Sequence, residues 1–394
     1  MKSNSSRRDF LYAGLALPVA GLASAAGFGK ATGQSLPPPS LESTAKLTYG
    51  TLGKTGLRVM RVGLGAGASD PSVVERAVDI GINYFDTSRY YGNHERMVSV
   101  GLKGKRKEVI LASKSISPTK ESALSDLDVS LRELRTDYLD IWFLHHKNKP
   151  SEAPDELFEA QQIAKKAGKT RFVGVSTHMA KDMIPFLVQK GATDVVLLTY
   201  NFTMHTSIDA FIDQASQAGM GVVAMKVMAG GFRFMEPGFT FLDPADPRIP
   251  KLQTEEAALA MLRWVLKNPN VNTTIIGTTD TDRLEENVKA MAEPFSEADE
   301  KLLAIRLEHI GPLYCRMCGA CEGTCRKGLP VADILRYLTY AEGYGEFSRG
   351  RGHFLALPAE VTSVRCQDCA SCTIACPFGV KVPSRLARAQ ELFT

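Results

Sequence analysis

The sequence predicts an α/β protein: a closed (β/α)8 barrel over residues 46–310, followed by a small α-helical module over residues 311–394. Three observations carry this. Short runs rich in Val, Ile, Leu and Phe alternate with amphipathic stretches, as expected for parallel strands buried on both faces. No Gly-x-Gly-x-x-Gly follows the first run, where Gly63-x-Gly65-x-Gly67 has the wrong spacing, and this disfavours an open dinucleotide-binding sheet. All eight cysteines lie at Cys315 or beyond, so what they hold belongs to the tail alone.

At the N-terminus, Arg7-Arg8 precedes an uncharged run from Phe10 to Gly29, and Ala23-Ser24-Ala25 offers small residues for a signal-peptidase cut. The pattern resembles a twin-arginine export signal over residues 1–33, which implies the export machinery as a partner and a periplasmic destination. Gly14, Pro18, Gly21 and Gly27 make the run a poor membrane span, so no stable anchor is expected. Residues 34–45, with Pro37-Pro38-Pro39, read as a stiff exposed linker.

Leu47–Tyr49 and Leu57–Met60 read as a hairpin around Gly53-Lys54-Thr55-Gly56. Parallel strands are then expected at Arg61–Gly67, Ile82–Thr87, Val109–Lys114, Tyr138–His145, Phe172–Ser176, Asp194–Tyr200, Val222–Lys226 and Thr273–Gly277. Ser122–Leu134, Asp155–Ala167 and Glu255–Leu266 carry apolar residues at helical spacing. Of the formal charge of +4, Lys2, Arg7, Arg8 and Asp9 contribute +2. The balanced remainder suggests no nucleic-acid or anionic-membrane partner.

In a (β/α)8, or TIM, barrel the chemistry sits where strands end. Asp86 ends the second expected strand, Tyr91 follows five residues later, Lys114 closes the third and His145 the fourth. A carbonyl that receives hydride needs a proton at the same moment, and tyrosine can give one and take it back. A nearby ammonium favours the phenolate. Asp86 would hold Lys114 charged and aimed, and His145 could donate to the developing oxyanion. His146 and Tyr90 are the competing neighbours.

From about Lys46 to Ala292 the chain resembles the aldo-keto reductases. The matching stretches are Gly81-Ile-Asn-Tyr-Phe-Asp-Thr-Ser with Tyr91-Gly92, Ala112-Ser113-Lys114, Asp137-Tyr138-Leu139-Asp140 leading to Leu144-His145, Gly174-Val175-Ser176, Tyr200-Asn201, and Gly277 through Glu286-Asn287. The resemblance implies NADP(H)-dependent carbonyl or alcohol chemistry on a small substrate. It makes Tyr91 the proton donor, Lys114 and Asp86 its tuning pair, and His145 the substrate-orienting group. It places the nucleotide at Ser176, Thr177, Tyr200 (a ring for nicotinamide to lie against), Lys226, Thr278, Arg283 and Asn287. Arg283 could pair with a 2′-phosphate. Leu197 departs from the pattern, because the family's usual glutamine there contacts the nicotinamide amide. The loop from Gly230 to Pro250 is expected to shape the substrate pocket.

Cys315-x2-Cys318-x2-Cys321-x3-Cys325 and Cys366-x2-Cys369-x2-Cys372-x3-Cys376-Pro377 both have the bacterial ferredoxin spacing. It predicts two 4Fe–4S clusters, with the fourth cysteine of each motif reaching the other cluster. Cys315, Cys318, Cys321 and Cys376 would hold one, and Cys366, Cys369, Cys372 and Cys325 the other. Structural zinc, the alternative, normally uses two Cys-x2-Cys pairs. Val331 to Ala341 is helical in pattern, which points to an α-helical ferredoxin-type module, and similar tails occur on a branch of the aldo-keto reductases. The expected protein is an exported oxidoreductase whose barrel is coupled to two one-electron centres, with a redox partner protein. Periplasmic NADPH is scarce, so the nucleotide would be carried out bound or replaced. The other reading is an electron-transfer or partner-binding protein on a barrel that no longer turns over.

Overall fold

A computed structural model describes residues 47–67, 70–204, 207–229, 254–369 and 372–394, all within one compact unit, Thr44–Thr394. The expected export signal and linker, and the Gly230–Pro250 loop, lie outside the described residues.

The hairpin forms from β1 (Tyr49–Thr51) and β2 (Arg58–Met60), paired antiparallel. Then follow β3 (Val62–Leu64), α1 (Pro71–Asp79), β4 (Tyr84–Asp86), α2 (His94–Gly101), β5 (Ile110–Ser115), α3 (Lys120–Leu134), β6 (Leu139–Leu144) and α4 (Asp155–Lys166). The second half brings β7 (Thr170–Thr177), α5 (Ala180–Lys190), β8 (Val195–Thr199), α6 (Ser207–Gln217), β9 (Gly221–Met225), α7 (Glu255–Leu266), β10 (Thr273–Ile276), α8 (Thr281–Lys289) and α9 (Glu297–Ile310). Strands β3 to β10 pair in sequence order and in parallel, and β10 closes on β3, giving an eight-stranded barrel. β3 stops at Leu64, short of the expected Gly67, which takes a φ of +147°.

Alternation along each strand divides the apolar residues between two layers. Tyr84, Ile141, Phe143, Val195, Leu197 and Val223 fill the barrel, together with Leu52 from the hairpin. Phe85, Leu111, Trp142, Leu144, Val196, Leu198 and Val222 point outward and meet the helices. The hairpin stoppers the N-terminal end, where the Lys54 amide donates to the Gly219 carbonyl at 2.9 Å. That leaves the opposite end, where the strands finish, as the open mouth.

The tail supplies α10 (Val331–Glu342), α11 (Phe347–Leu355), α12 (Ala359–Thr362) and α13 (Val382–Phe393). Val331, Ile334, Leu335 and Leu338 of α10, Phe354 of α11 and Val382, Leu386 and Phe393 of α13 form its core, which also takes in Met179 from the loop after β7. Arg385 and Arg388 of α13 both reach Glu342 at the end of α10, at 2.7 and 3.0 Å. Leu313 and Tyr314, at the start of the tail, share a cluster with Ala258 and Met261 of α7. The Asn201 amide donates to the Tyr314 hydroxyl at 3.1 Å, which fastens the tail beside the mouth. Among the described residues no helix is long and apolar enough to cross a membrane.

Candidate active site

Asp86 is the last residue of β4, Lys114 the fifth of β5, and His145 directly follows β6. Tyr91 sits in the turn after β4, where its amide donates to the Ser88 carbonyl at 3.0 Å and Gly92 takes a φ of +61°. That turn folds the tyrosine back over the mouth. Lys114 is 1% exposed and donates to the Asp86 carboxylate and, at 2.7 Å, to the Thr87 carbonyl. Its ammonium lies 5.1 Å from the centre of the Tyr91 ring, which meets His145 edge-on at 5.6 Å. The four residues proposed from sequence therefore come together.

Burial raises the Asp86 carboxyl above the usual range, and Lys114 opposes that shift. Burial, then the Lys114 charge, holds the His145 imidazole well below its ordinary value, so the ring is neutral. His145 Nδ1 is 3.1 Å from the Ser88 hydroxyl. With Ser88 as donor, the remaining ring proton sits on Nε2, the tautomer that can donate to a substrate oxygen.

These residues open on a cavity of about 790 Å³ at the barrel mouth, lined by Asp86, Tyr91 and His145 but also by Tyr337, Tyr340, Arg349 and His353 of the tail. Sequence reasoning missed the tail residues. The Arg349 guanidinium lies 5.4 Å from the Tyr91 ring and 4.4 Å from the Tyr340 ring. His353 stacks on Tyr337 at 5.1 Å and also faces Tyr90 at 5.5 Å and His146 at 6.1 Å. Tyr90 and His146, the competing neighbours in the sequence, thus line the same cavity. The available signal was the spacing of Tyr337 and Tyr340, which share one face of α10, and of Arg349 and His353, one turn apart on α11.

The seven residues expected to hold nucleotide divide. Lys226, Thr278, Arg283 and Asn287 line the cavity. Asn287 donates to the Thr278 hydroxyl at 3.3 Å, and Arg283 pairs with Asp280, the N-cap of α8, at 3.3 Å. Ser176, Thr177 and Tyr200 do not line it. The Ser176 hydroxyl accepts from the His146 amide at 2.8 Å, and the Thr177 hydroxyl from the Met179 amide at 3.0 Å, so both brace loops. Tyr200 continues the outward face of Leu198: its ring packs on Trp264 at 4.9 Å and its hydroxyl donates to Asp209. It offers no platform for nicotinamide. Leu197 is fully buried inside the barrel. The residues present suit the phosphate end of a dinucleotide and leave its nicotinamide end without those two expected partners.

None of the eight cysteines is joined in a disulfide. Burial, followed by the nearby thiols of Cys321, Cys318 and Cys376, pushes Cys315 up to about 12. Burial and then Cys372, Cys369 and Cys325 raise Cys366. The thiols therefore group crosswise, the fourth cysteine of each motif standing with the first three of the other. Among the described residues no three His, Cys, Asp or Glu side chains converge on a point where one metal ion could sit.

The Aldo/keto reductase family profile matches residues 68–305. L-galactose dehydrogenase of Arabidopsis thaliana is 30% identical over 287 residues, 63% of this chain and 89% of that protein. L-glyceraldehyde 3-phosphate reductase of Escherichia coli is 24% identical over 314 residues, 64% of this chain and 89% of that protein. Among solved structures, an aldo-keto reductase from Bacillus halodurans in its holo form superposes with a TM-score of 0.56 at 23% identity, covering 66% of this chain and 96% of its own. The closed eight-stranded parallel barrel agrees with those matches, and the chain belongs to the aldo/keto reductase family as an oxidoreductase of that type.

Proposed function

We propose that this protein interconverts a carbonyl and an alcohol on a small substrate at the barrel mouth, is exported by the twin-arginine route, and carries two 4Fe–4S clusters in its tail. The observation that supports the chemistry is that Tyr91, His145 and Asp86 line one cavity, Tyr91 meeting His145 edge-on at 5.6 Å, with the buried Lys114 bound to Asp86 and 5.1 Å from the centre of the Tyr91 ring. Neutral His145 donates to the substrate oxygen and fixes its position. Tyr91 transfers a proton to that oxygen as it becomes an alkoxide, and the Lys114 ammonium steadies the charge left on the phenol. Asp86 keeps Lys114 pointed at the ring and balances its charge out of water. NADP(H), when bound, supplies the hydride, and Thr278, Arg283 and Asn287 are the residues that would hold its phosphate end. The sugar-type substrates in the names of the two relatives make a polyhydroxylated compound the first class to try.

For the tail, the support is the ferredoxin spacing of the two cysteine motifs, with Cys376 near Cys315 and Cys325 near Cys366 and no disulfide among the eight. Cys315, Cys318, Cys321 and Cys376 would hold one cluster, and Cys325, Cys366, Cys369 and Cys372 the other. Such clusters supply one-electron transfer, and a redox partner protein would exchange electrons with them. Arg7-Arg8 supports a periplasmic location, because that route moves proteins already folded around their cofactors.

A second reading, an electron-transfer or partner-binding protein on a barrel without turnover, is favoured by the outward packing of Tyr200. Tyr91→Phe separates the two. The reductase reading expects carbonyl reduction to fall by about 10²–10⁴-fold. Wild-type protein inert toward a panel of aldehydes, sugars and alcohols would favour the second.

A further inference from the structure

We propose that Tyr340 of the tail and Lys226 of the barrel form a second tyrosine–lysine acid–base pair on the cavity that holds Tyr91, so that the tail supplies a proton-exchanging group to the site. This rests on the cavity being where carbonyl chemistry occurs.

The geometry parallels the first pair and is closer. Lys226 follows β9 in a left-handed backbone conformation, φ +58°, which turns its side chain into the mouth. Its ammonium lies 4.3 Å from the centre of the Tyr340 ring, against 5.1 Å between Lys114 and Tyr91. Lys114 is tied to Asp86, whereas among the described residues no carboxylate pairs with Lys226. Arg349 joins the two tyrosines, its guanidinium facing both rings.

The groups around Tyr340 come from every element packed on it. The barrel gives Lys226. Its own helix gives Arg336, paired with Asp333 at 2.7 Å, and Tyr337. The turn that follows gives Tyr344, and α11 gives His353 and Arg349, the latter paired with Glu346 at 2.8 Å. Tyr314 lies near, and the cations of α13, Arg385 and Arg388, are engaged by Glu342. Two of the three cations have a carboxylate and Lys226 does not, so the surplus charge favours a phenolate.

Burial alone would raise the Tyr340 phenol, but Lys226, Arg349 and Arg336 bring it down to about 8, while burial brings Lys226 down to about 8. His353, pushed down to about 4 by burial and then by Arg349, stays neutral and does not compete for the proton. A proton passes between groups of matched affinity at little cost. As phenolate, Tyr340 accepts a proton from a substrate hydroxyl; as phenol, it returns one.

Alkaline titration of the full-length protein with its cofactors, followed by phenolate absorbance, tests this without any substrate. Wild type is expected to ionise one tyrosine with a midpoint of about 8. Tyr340→Phe is expected to lose that step, Lys226→Met to move it up by about one pH unit, a tenfold change in proton affinity, and Lys226→Arg to keep it low. No ionisation below about pH 9 in wild type, or persistence of the step in Tyr340→Phe, overturns the pair. The pH profile of kcat then tests the acid–base role. Wild type should show a limb at the same midpoint that Tyr340→Phe lacks, and a limb unchanged in a variant with native circular dichroism overturns that role. Wild type that ionises Tyr340 but turns over no carbonyl refutes the reductase reading, and the acid–base role with it, while leaving the ionised pair.

Discussion

Replacing Lys114 with methionine separates its electrostatic role from its role in packing. The side chain is 1% exposed, and its partner Asp86 already lies above the usual carboxyl range because of burial. Without the ammonium, Asp86 loses the group that opposes that shift and takes up a proton, so no bare charge is left in the barrel. Methionine fills nearly the same volume, and the fold is expected to survive. What is lost is the attraction between the ammonium and the charge left on Tyr91 during proton transfer. Taking the 5.1 Å from the ammonium to the ring centre as the separation, with an effective dielectric of ~20, that attraction is about 3 kcal/mol. At about 1.4 kcal/mol per tenfold, kcat should fall by roughly 100-fold with KM little changed. Steady-state kinetics on the best aldehyde of a panel, with urea unfolding as the control, measures both. A fall of less than about 5-fold in a variant of native stability would refute an electrostatic role for Lys114 at this distance.

Gly174→Ala should destabilise the barrel, because the new methyl would meet the Phe143 ring at 2.4 Å and the Val195 carbonyl at 2.7 Å. A loss of about 1–3 kcal/mol in urea unfolding is expected, and an unchanged midpoint would show that Phe143 can yield. Acid should weaken the fold through its buried neutral histidines. His94 and His353 are each pushed down to about 4, by burial and then by nearby cations. Their contribution is complete above the unfolded value of about 6.5 and is lost as pH falls from there toward 4, because the unfolded chain binds the protons first. Urea midpoints at pH 7.5 and 5 measure this; the lower pH should give the lower midpoint, and His353→Phe should flatten the dependence. Cys376→Ser should cost the cluster assigned to Cys315, Cys318 and Cys321, taking iron and acid-labile sulfide to about half of the wild-type content. Loss confined to the other cluster would mean that each motif serves its own.

The parts of the site carried by strand ends are legible in the amino-acid sequence, because a strand end in a parallel barrel has one place to go. Asp86, Lys114 and His145 need only the alternation of apolar runs, and Tyr91 needs the turn at Gly92. Tyr200 is misplaced by the family resemblance, which alternation along its strand would have corrected. In a period-2 element the face reverses at each residue, and Thr199, not Tyr200, shares the inward side with Leu197. Tyr340, Arg349 and His353 cannot be read as site residues from the sequence. Their spacing gives a polar helical face, and any amphipathic helix has one. Only the docking of α10 and α11 on the mouth turns that face into a cavity wall. The motif spacing of the cysteines is a statement about reach, and the iron content of Cys376→Ser is what tests it.

The placement of Arg349 also bears on how the protein fails. A side chain from the tail stands over the tyrosine of the barrel, so the cavity is a joint product of two segments that are far apart in sequence. A chain whose tail has come apart would not keep an intact site on its barrel. It would lose one wall of its reaction chamber along with its cysteine module. Loss of the tail and loss of the site would then arrive together.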